Sequence, residues 1–117
     1  MKTTDQIAHQ GLAAFNAHDL EALLALYDED ALHYSPKLKL HMPETEGYIK
    51  GKAALRTWWA DAFERLPGLR YLLTNLTAGE QSVFMEYTRQ LPGEADMLVA
   101  EVLEIDKKII ASRVYHG

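Results

Sequence analysis

Apolar residues recur three and four positions apart through the first half of the chain and alternate through the second. The change falls at Pro67-Gly68. The first half therefore predicts helices and the second half strands. Thr3 to Ala17 reads as a helix, with Thr3 and Gln6 at capping-box spacing. Ile7, Gly11, Ala14 and Phe15 share a face there, and Gly11 suggests close approach of another backbone. Asn16-Ala17-His18-Asp19 breaks the run, and Asp19 suits the cap of a second helix with the stripe Leu20, Leu23, Leu24 and Tyr27. Asp28-Glu29-Asp30 ends its burial. Ala31 to Ser35 alternates as a strand, with Ala31, His33 and Ser35 on one side and Leu32 and Tyr34 on the other. Pro36 stops it.

Lys37 to Lys50 reads as a long connection, of a length often used as a lid. Within it Lys37 to His41 alternates like a short strand. Gly51 opens a third helix, whose apolar positions Leu55, Trp58, Trp59, Ala62, Phe63 and Leu66 run to Pro67-Gly68. Four strands follow: Leu69 to Ala78, Gln81 to Leu91, Asp96 to Asp106 and Ile109 to His116. Gly79-Glu80, Pro92-Gly93 and Lys107-Lys108 mark the turns between them. Helices first and an antiparallel meander afterwards give an α+β class: three helices packed on one face of a strongly curved, mainly antiparallel sheet. Such a layer pair encloses a cone-shaped cavity. Residues 1–117 read as a single domain.

Composition removes whole classes of function. At 117 residues and 48% hydrophobic, the chain can bury one core. A net charge of −5 with no Lys/Arg stripe argues against nucleic acid. The absence of cysteine excludes disulfides, thiolate nucleophiles and cysteine metal sites. His9, His18, His33, His41 and His116 lack metal-ligand spacing, so neither metal nor cofactor is expected. No apolar run is long enough for a membrane span, and Met1 to Gln6 has no signal-peptide core. A cytoplasmic protein is expected.

Asn16-Ala17-His18-Asp19-Leu20 with Leu24, Leu26, Tyr27 and Asp30-Ala31 then acquires a meaning, together with Gly51-Lys52-Ala53-Ala54-Leu55 and the closing strand Ile109 to Tyr115. Over essentially its whole length the chain resembles the SnoaL-like and ketosteroid-isomerase-like branch of the nuclear transport factor 2-like (cystatin-like) superfamily. That fold hosts isomerases, dehydratases, cyclases, epoxide hydrolases and non-catalytic binders, so the resemblance implies a scaffold more than a reaction. In the isomerases a general-base aspartate precedes the proline that ends the first strand; here Ser35 stands there. Their oxyanion tyrosine falls on Gly11. Their second oxyanion donor, a protonated acid, falls on Glu101, which keeps the carboxyl. The resemblance therefore does not imply steroid isomerisation by that mechanism.

Alternation places Met97, Val99, Glu101, Leu103 and Ile105 on one face of their strand. If the helices cover that face, Glu101 is an acid in an apolar cavity, its pKa raised by desolvation, fit to act as general acid or oxyanion donor. On the open face, or paired with a histidine or arginine, it is structural. His33 is a candidate base beside Ser35, or a core histidine satisfied by a hydrogen bond. Counting across Pro92-Gly93 puts Met85 opposite Glu101 and Tyr87 opposite Val99, making Tyr87 a neighbouring polar handle. Arg89 falls nearer the mouth, either facing an anionic ligand group or solvated beside a turn. Trp59 with Tyr27 and Phe15 forms an aromatic wall or ordinary core. Ile110, Ser112, Val114 and His116 share a face that the resemblance turns toward the cavity. His116, as the penultimate residue, also reads as a frayed end.

The expected pocket therefore comprises Glu101 and His33 as catalytic candidates, lined by Phe15, Tyr27, Ser35, Trp59, Met85, Tyr87, Val99, Ser112 and His116. Its expected ligand is a small apolar or aromatic molecule. The expected chemistry is cofactor-free proton transfer: isomerisation, dehydration or cyclisation. A non-catalytic ligand-binding or dimerisation module is the alternative. The opposite face, with Leu98, Ala100 and Val102, predicts a homodimer through the sheet backs, with Arg113 and Tyr115 in the interface.

Overall fold

A computed structural model describes residues 2–117. Thr3 caps α1 (Thr4–Asn16): its hydroxyl accepts from Gln6 N, and the Gln6 side chain accepts from Thr3 N. Asp19 caps α2 (Leu20–Ala25) by accepting from Ala22 N. The helix is shorter than the stripe predicts. Tyr27 opens β1 (Tyr27–Tyr34) instead of closing α2, and Asp28-Glu29-Asp30 forms an irregularity in that strand. Three adjacent acids have no reason to enter the core, so they bulge outward between two inward residues, Tyr27 and Ala31.

The connection after Pro36 differs most from expectation. Lys37 to His41 belongs to a helix, α3 (Pro36–His41), and not to a strand. Ser35 is its cap, accepting from Lys37 N at 3.2 Å, and Pro36 takes the first helical turn, where its missing N–H costs nothing. Leu38 anchors the helix by full burial. A 3₁₀ turn at Pro43–Thr45 leads to β2 (Tyr48–Lys50), which pairs antiparallel with β1. Gly47 makes that return possible. Its φ is +92°, and a Cβ there would meet the Tyr34 ring at 2.6 Å. Then come α4 (Lys52–Arg65), β3 (Arg70–Ala78), β4 (Ser82–Gln90), β5 (Met97–Asp106) and β6 (Lys108–His116).

The six strands form one open sheet in the order β2-β1-β6-β5-β4-β3. All pairs are antiparallel except β1 with β6. The fold class is α+β as expected, with four α-helices in place of three. Two further β-bulges decide which side chains face the helices. One between Leu73 and Asn75 keeps Tyr71, Leu73 and Leu76 on the inner face despite odd spacing. The other, between Glu104 and Ile105, sets Ile109 inward and turns Ile110 out to 42% exposure, against the expectation that Ile110 shares the face of Ser112.

Asn16 explains much of the segment after α1. Its side chain donates to Tyr71 O at 2.8 Å and accepts from Tyr71 N at 2.7 Å, pairing the outer edge of β3 as another strand would. His18, at φ 54°, bonds Leu69 O at 3.0 Å and stacks on Phe63. The short polar break between α1 and α2 thereby fixes where β3 begins and where Tyr71 points.

Candidate functional site

The inner face of the sheet is a ladder of cross-strand rows. Val83, Leu103, Ser112 and His33 form the first. Leu76, Met85, Glu101 and Val114 form the second. Leu73, Tyr87, Val99 and His116 form the third, and Tyr71, Arg89 and Met97 the fourth. Over these rows the helices leave a cavity of about 230 Å³. Phe15 and Gly11 from α1, Leu23 from α2 and Trp59 from α4 roof it, with Met85 and Glu101 on its floor. Gly11 makes no close approach to another backbone: a Cβ there would touch only Leu26 Cδ1, at 3.8 Å. Its missing side chain leaves cavity space.

Glu101 is the carboxylate that reaches the apolar interior. Met85, Leu103 and Val114 surround its base, and burial pushes its pKa up to about 7. The Tyr87 hydroxyl donates to Oε1 at 2.7 Å, which favours the charged form but less strongly than burial opposes it. Tyr87 is pushed well up by burial and then by the Glu101 charge; the same two causes raise Tyr27 and Tyr71. All three phenols stay protonated and so remain donors. Tyr71 stacks on Tyr87 at 4.3 Å on one side and on Phe15 at 4.2 Å on the other, a three-ring wall that ends at the acid.

His33 is 4% exposed, and Nδ1 lies 2.7 Å from Ser112 Oγ, which also accepts from the Tyr27 hydroxyl at 3.3 Å. Burial holds its pKa down at about 4, partly countered by hydrogen bonding to Ser112. The ring is neutral near pH 7 and accepts a proton reluctantly. Trp59 meets Tyr27 edge-on at 5.0 Å and His33 at 5.5 Å, so it is both core and cavity wall.

Of the residues expected from sequence, Phe15, Tyr27, His33, Ser35, Trp59, Met85, Tyr87, Glu101 and His116 line the cavity. Ser112 and Val99 do not. Ser112 sits beside His33 in its row, fully buried against the His33 and Tyr27 side chains, and Val99 is packed between Tyr87 and His116 in its row. The sequence reading did not single out Tyr71, Lys37, His41, Arg65 or Glu94, which also line it. Tyr71 had a signal, the alternation of Leu69, Tyr71 and Leu73. Lys37 had one only once Ser35-Pro36 is read as a helix start.

A family model of the SnoaL-like domain matches residues 8–112. The chain belongs to the SnoaL-like family. A SnoaL-like protein of unknown function from Burkholderia thailandensis is 25% identical, superimposes with a TM-score of 0.86, and is covered over 92% of its length by 97% of this chain. A cystatin-fold protein from Novosphingobium aromaticivorans is 18% identical, with a TM-score of 0.82 over 98% of this chain and 99% of its own. A candidate polyketide cyclase from Pseudomonas putida is 21% identical, with a TM-score of 0.76 over 100% of this chain and 93% of its own. The last two show the fold they share with this SnoaL-like domain. No curated protein matches the chain. Among the described residues, the SnoaL-like domain has no helix long and apolar enough to cross a membrane.

Proposed function

We propose that the cavity binds a small molecule with an apolar or aromatic body and that Glu101 exchanges a proton with it. The observation that carries this reading is a carboxyl group held near neutral pKa in an apolar cavity beside the Tyr87 hydroxyl. Near pH 7 both forms of Glu101 are populated. The carboxylate can take a proton from a carbon next to a carbonyl, leaving an enolate. The acid can return that proton at a conjugated carbon, which isomerises the ligand. In dehydration the same enolate expels a β-hydroxyl, which takes the proton back from Glu101 and leaves as water; in cyclisation the enolate carbon attacks a second carbonyl, whose oxygen takes that proton. Tyr87 holds Oε1 and leaves Oε2 for the ligand. His33 supports the site as a neutral hydrogen-bonding group, with Phe15 and Trp59 packing against the ligand and Tyr71, held between Phe15 and Tyr87, offering it only a ring edge. This chemistry needs only side chains.

A second reading is a binding module without catalysis. One observation favours it: Ser35, where the resembled isomerases carry their base, is committed to capping α3. Deuterium exchange separates the two. In D₂O, a bicyclic ketone such as 2-tetralone is expected to exchange its α-protons faster with the protein than with the Glu101→Gln variant. Binding without any acceleration would leave the module reading in place and remove the catalytic one.

The reading includes a homodimer. Leu98 is 68% exposed on the outer sheet face, with Phe84, Ile110 and Tyr115 also exposed. Glu104 and Arg113 pair beside them, giving this face both charge signs, as a self-complementary surface requires. A cytoplasmic setting accords with the cysteine-free composition.

A further inference from the structure

The cavity has a second polar end, away from Glu101. Arg89 stands four residues along β4 from Met85, the residue that faces Glu101. That separation is about 13 Å at the backbone. Arg89 is 7% exposed, an unusual burial for a guanidinium. Its Nη1 donates to Glu94 Oε1 at 3.0 Å, and no other side-chain partner is present among the described residues. No buried polar side-chain atom lacks a partner among the described residues, so the other Arg89 nitrogens keep access to the cavity space and stay free to donate. Arg89 lines the cavity together with Lys37, His116 and Arg65. Arg65 is engaged by Asp61, whereas Lys37 forms no ion pair among the described residues. Lys37, Arg89 and His116 line one space, and burial first, then the charges of Lys37 and Arg89, hold the His116 pKa down. Glu94, on the turn after β4, is the acid at this end, and its side chain is half exposed.

Resting on the reading of the cavity as a ligand site, we propose that its ligand is an anion: an apolar or aromatic molecule carrying a carboxylate, which Arg89 and Lys37 grip at the mouth while the apolar body reaches toward Glu101. A carboxylate accepts two N–H bonds from one guanidinium and fits the donors that Glu94 leaves open. The attraction is strengthened by partial burial and would orient the ligand with its uncharged end at the acid. A free carboxylate at the inner end would instead meet Glu101, a like charge whenever ionised. The two ends thus select both the class of ligand and its direction.

Calorimetric titration with 2-naphthoate and its uncharged isostere 2-naphthamide tests this. The protein is expected to bind naphthoate about tenfold more tightly than the amide. Arg89→Gln should erase that preference while leaving amide binding intact. Glu94→Gln, which keeps a side-chain oxygen to accept from Arg89, should enlarge it by removing the competing acid. Equal affinity for the two compounds in the unaltered protein, or a preference that Glu94→Gln leaves unchanged, overturns the anion site while leaving the apolar-ligand reading standing. Failure of both compounds to bind overturns the two together. Should Arg89→Gln not fold, Glu94→Gln decides alone.

Discussion

The Tyr87 hydroxyl reaches Oε1 of Glu101 across 2.7 Å, diagonally between neighbouring strands, because Tyr87 faces Val99 while Glu101 faces Met85. The bond and the burial of Glu101 pull its titration in opposite directions, and burial wins. Tyr87→Phe removes the opposing pull and is expected to raise the Glu101 pKa further. A carboxyl ¹³C titration of that variant checks the direction.

Burial of the acid makes folding depend on pH. Glu101 titrates near 4.5 when unfolded and at about 7 when folded, so the folded state holds the proton more tightly. Its contribution is fully present below 4.5 and is lost as pH rises through 7, by about 3 kcal/mol. Glu101→Gln cannot lose it. The stability of this variant relative to the parent protein should therefore grow by about that amount between about pH 4 and about pH 8, read by urea unfolding.

His33 works against that trend. Its pKa falls from 6.5 to about 4 on folding, so its contribution is present above 6.5 and is lost as pH falls toward 4. Between 4.5 and 6.5 the two residues oppose each other. His33→Asn should expose the Glu101 trend, with stability rising on acidification relative to the parent. Glu101→Gln should show the reverse. Parallel melting-temperature profiles for all three proteins would rule out this opposition.

Ser35 is expected to behave as a cap. Ser35→Ala should cost about 1 kcal/mol, whereas Ser35→Asp, an equally good cap, should retain most of the stability. Chemical unfolding of the two variants measures the difference. No loss in Ser35→Ala would mean that the Ser35 bond to Lys37 N contributes nothing.

The strand half of the fold was legible because each strand alternates cleanly between two faces. Counting through Pro92-Gly93 was enough to set Met85 against Glu101 and Tyr87 against Val99. Counting failed at bulges, which add a residue without any mark in composition: Ile110 fell on the wrong face for this reason. In α3, the alternation Lys37-Leu38-Lys39-Leu40 mimicked a strand while Ser35-Pro36 carried the helix signal. Tyr27 closed a helical stripe in the sequence and opens a strand in the structure, because three acids must leave the core just after it. Arg89 near a turn read as a solvated residue before a ligand-facing one; only the packing of β4 against its neighbours shows it buried.

Association through the outer sheet face predicts that Val102→Asp sediments as a monomer while keeping its far-ultraviolet circular dichroism. Val102 lies in a row with Phe84 and Arg113, so a carboxylate there disturbs the apolar patch without touching the cavity. An unchanged sedimentation profile would argue against this interface.

Direct titration of Glu101 tests whether an acid stands poised near neutrality inside the cavity. With ¹³C-labelled glutamate and Glu101→Gln to assign the signal, its carboxyl resonance should titrate at about 7. The same signal should move when an apolar ketone is added. A midpoint near the ordinary 4.5, unaffected by the ketone, would mean that Glu101 is an ordinary solvated carboxylate with no part in ligand binding.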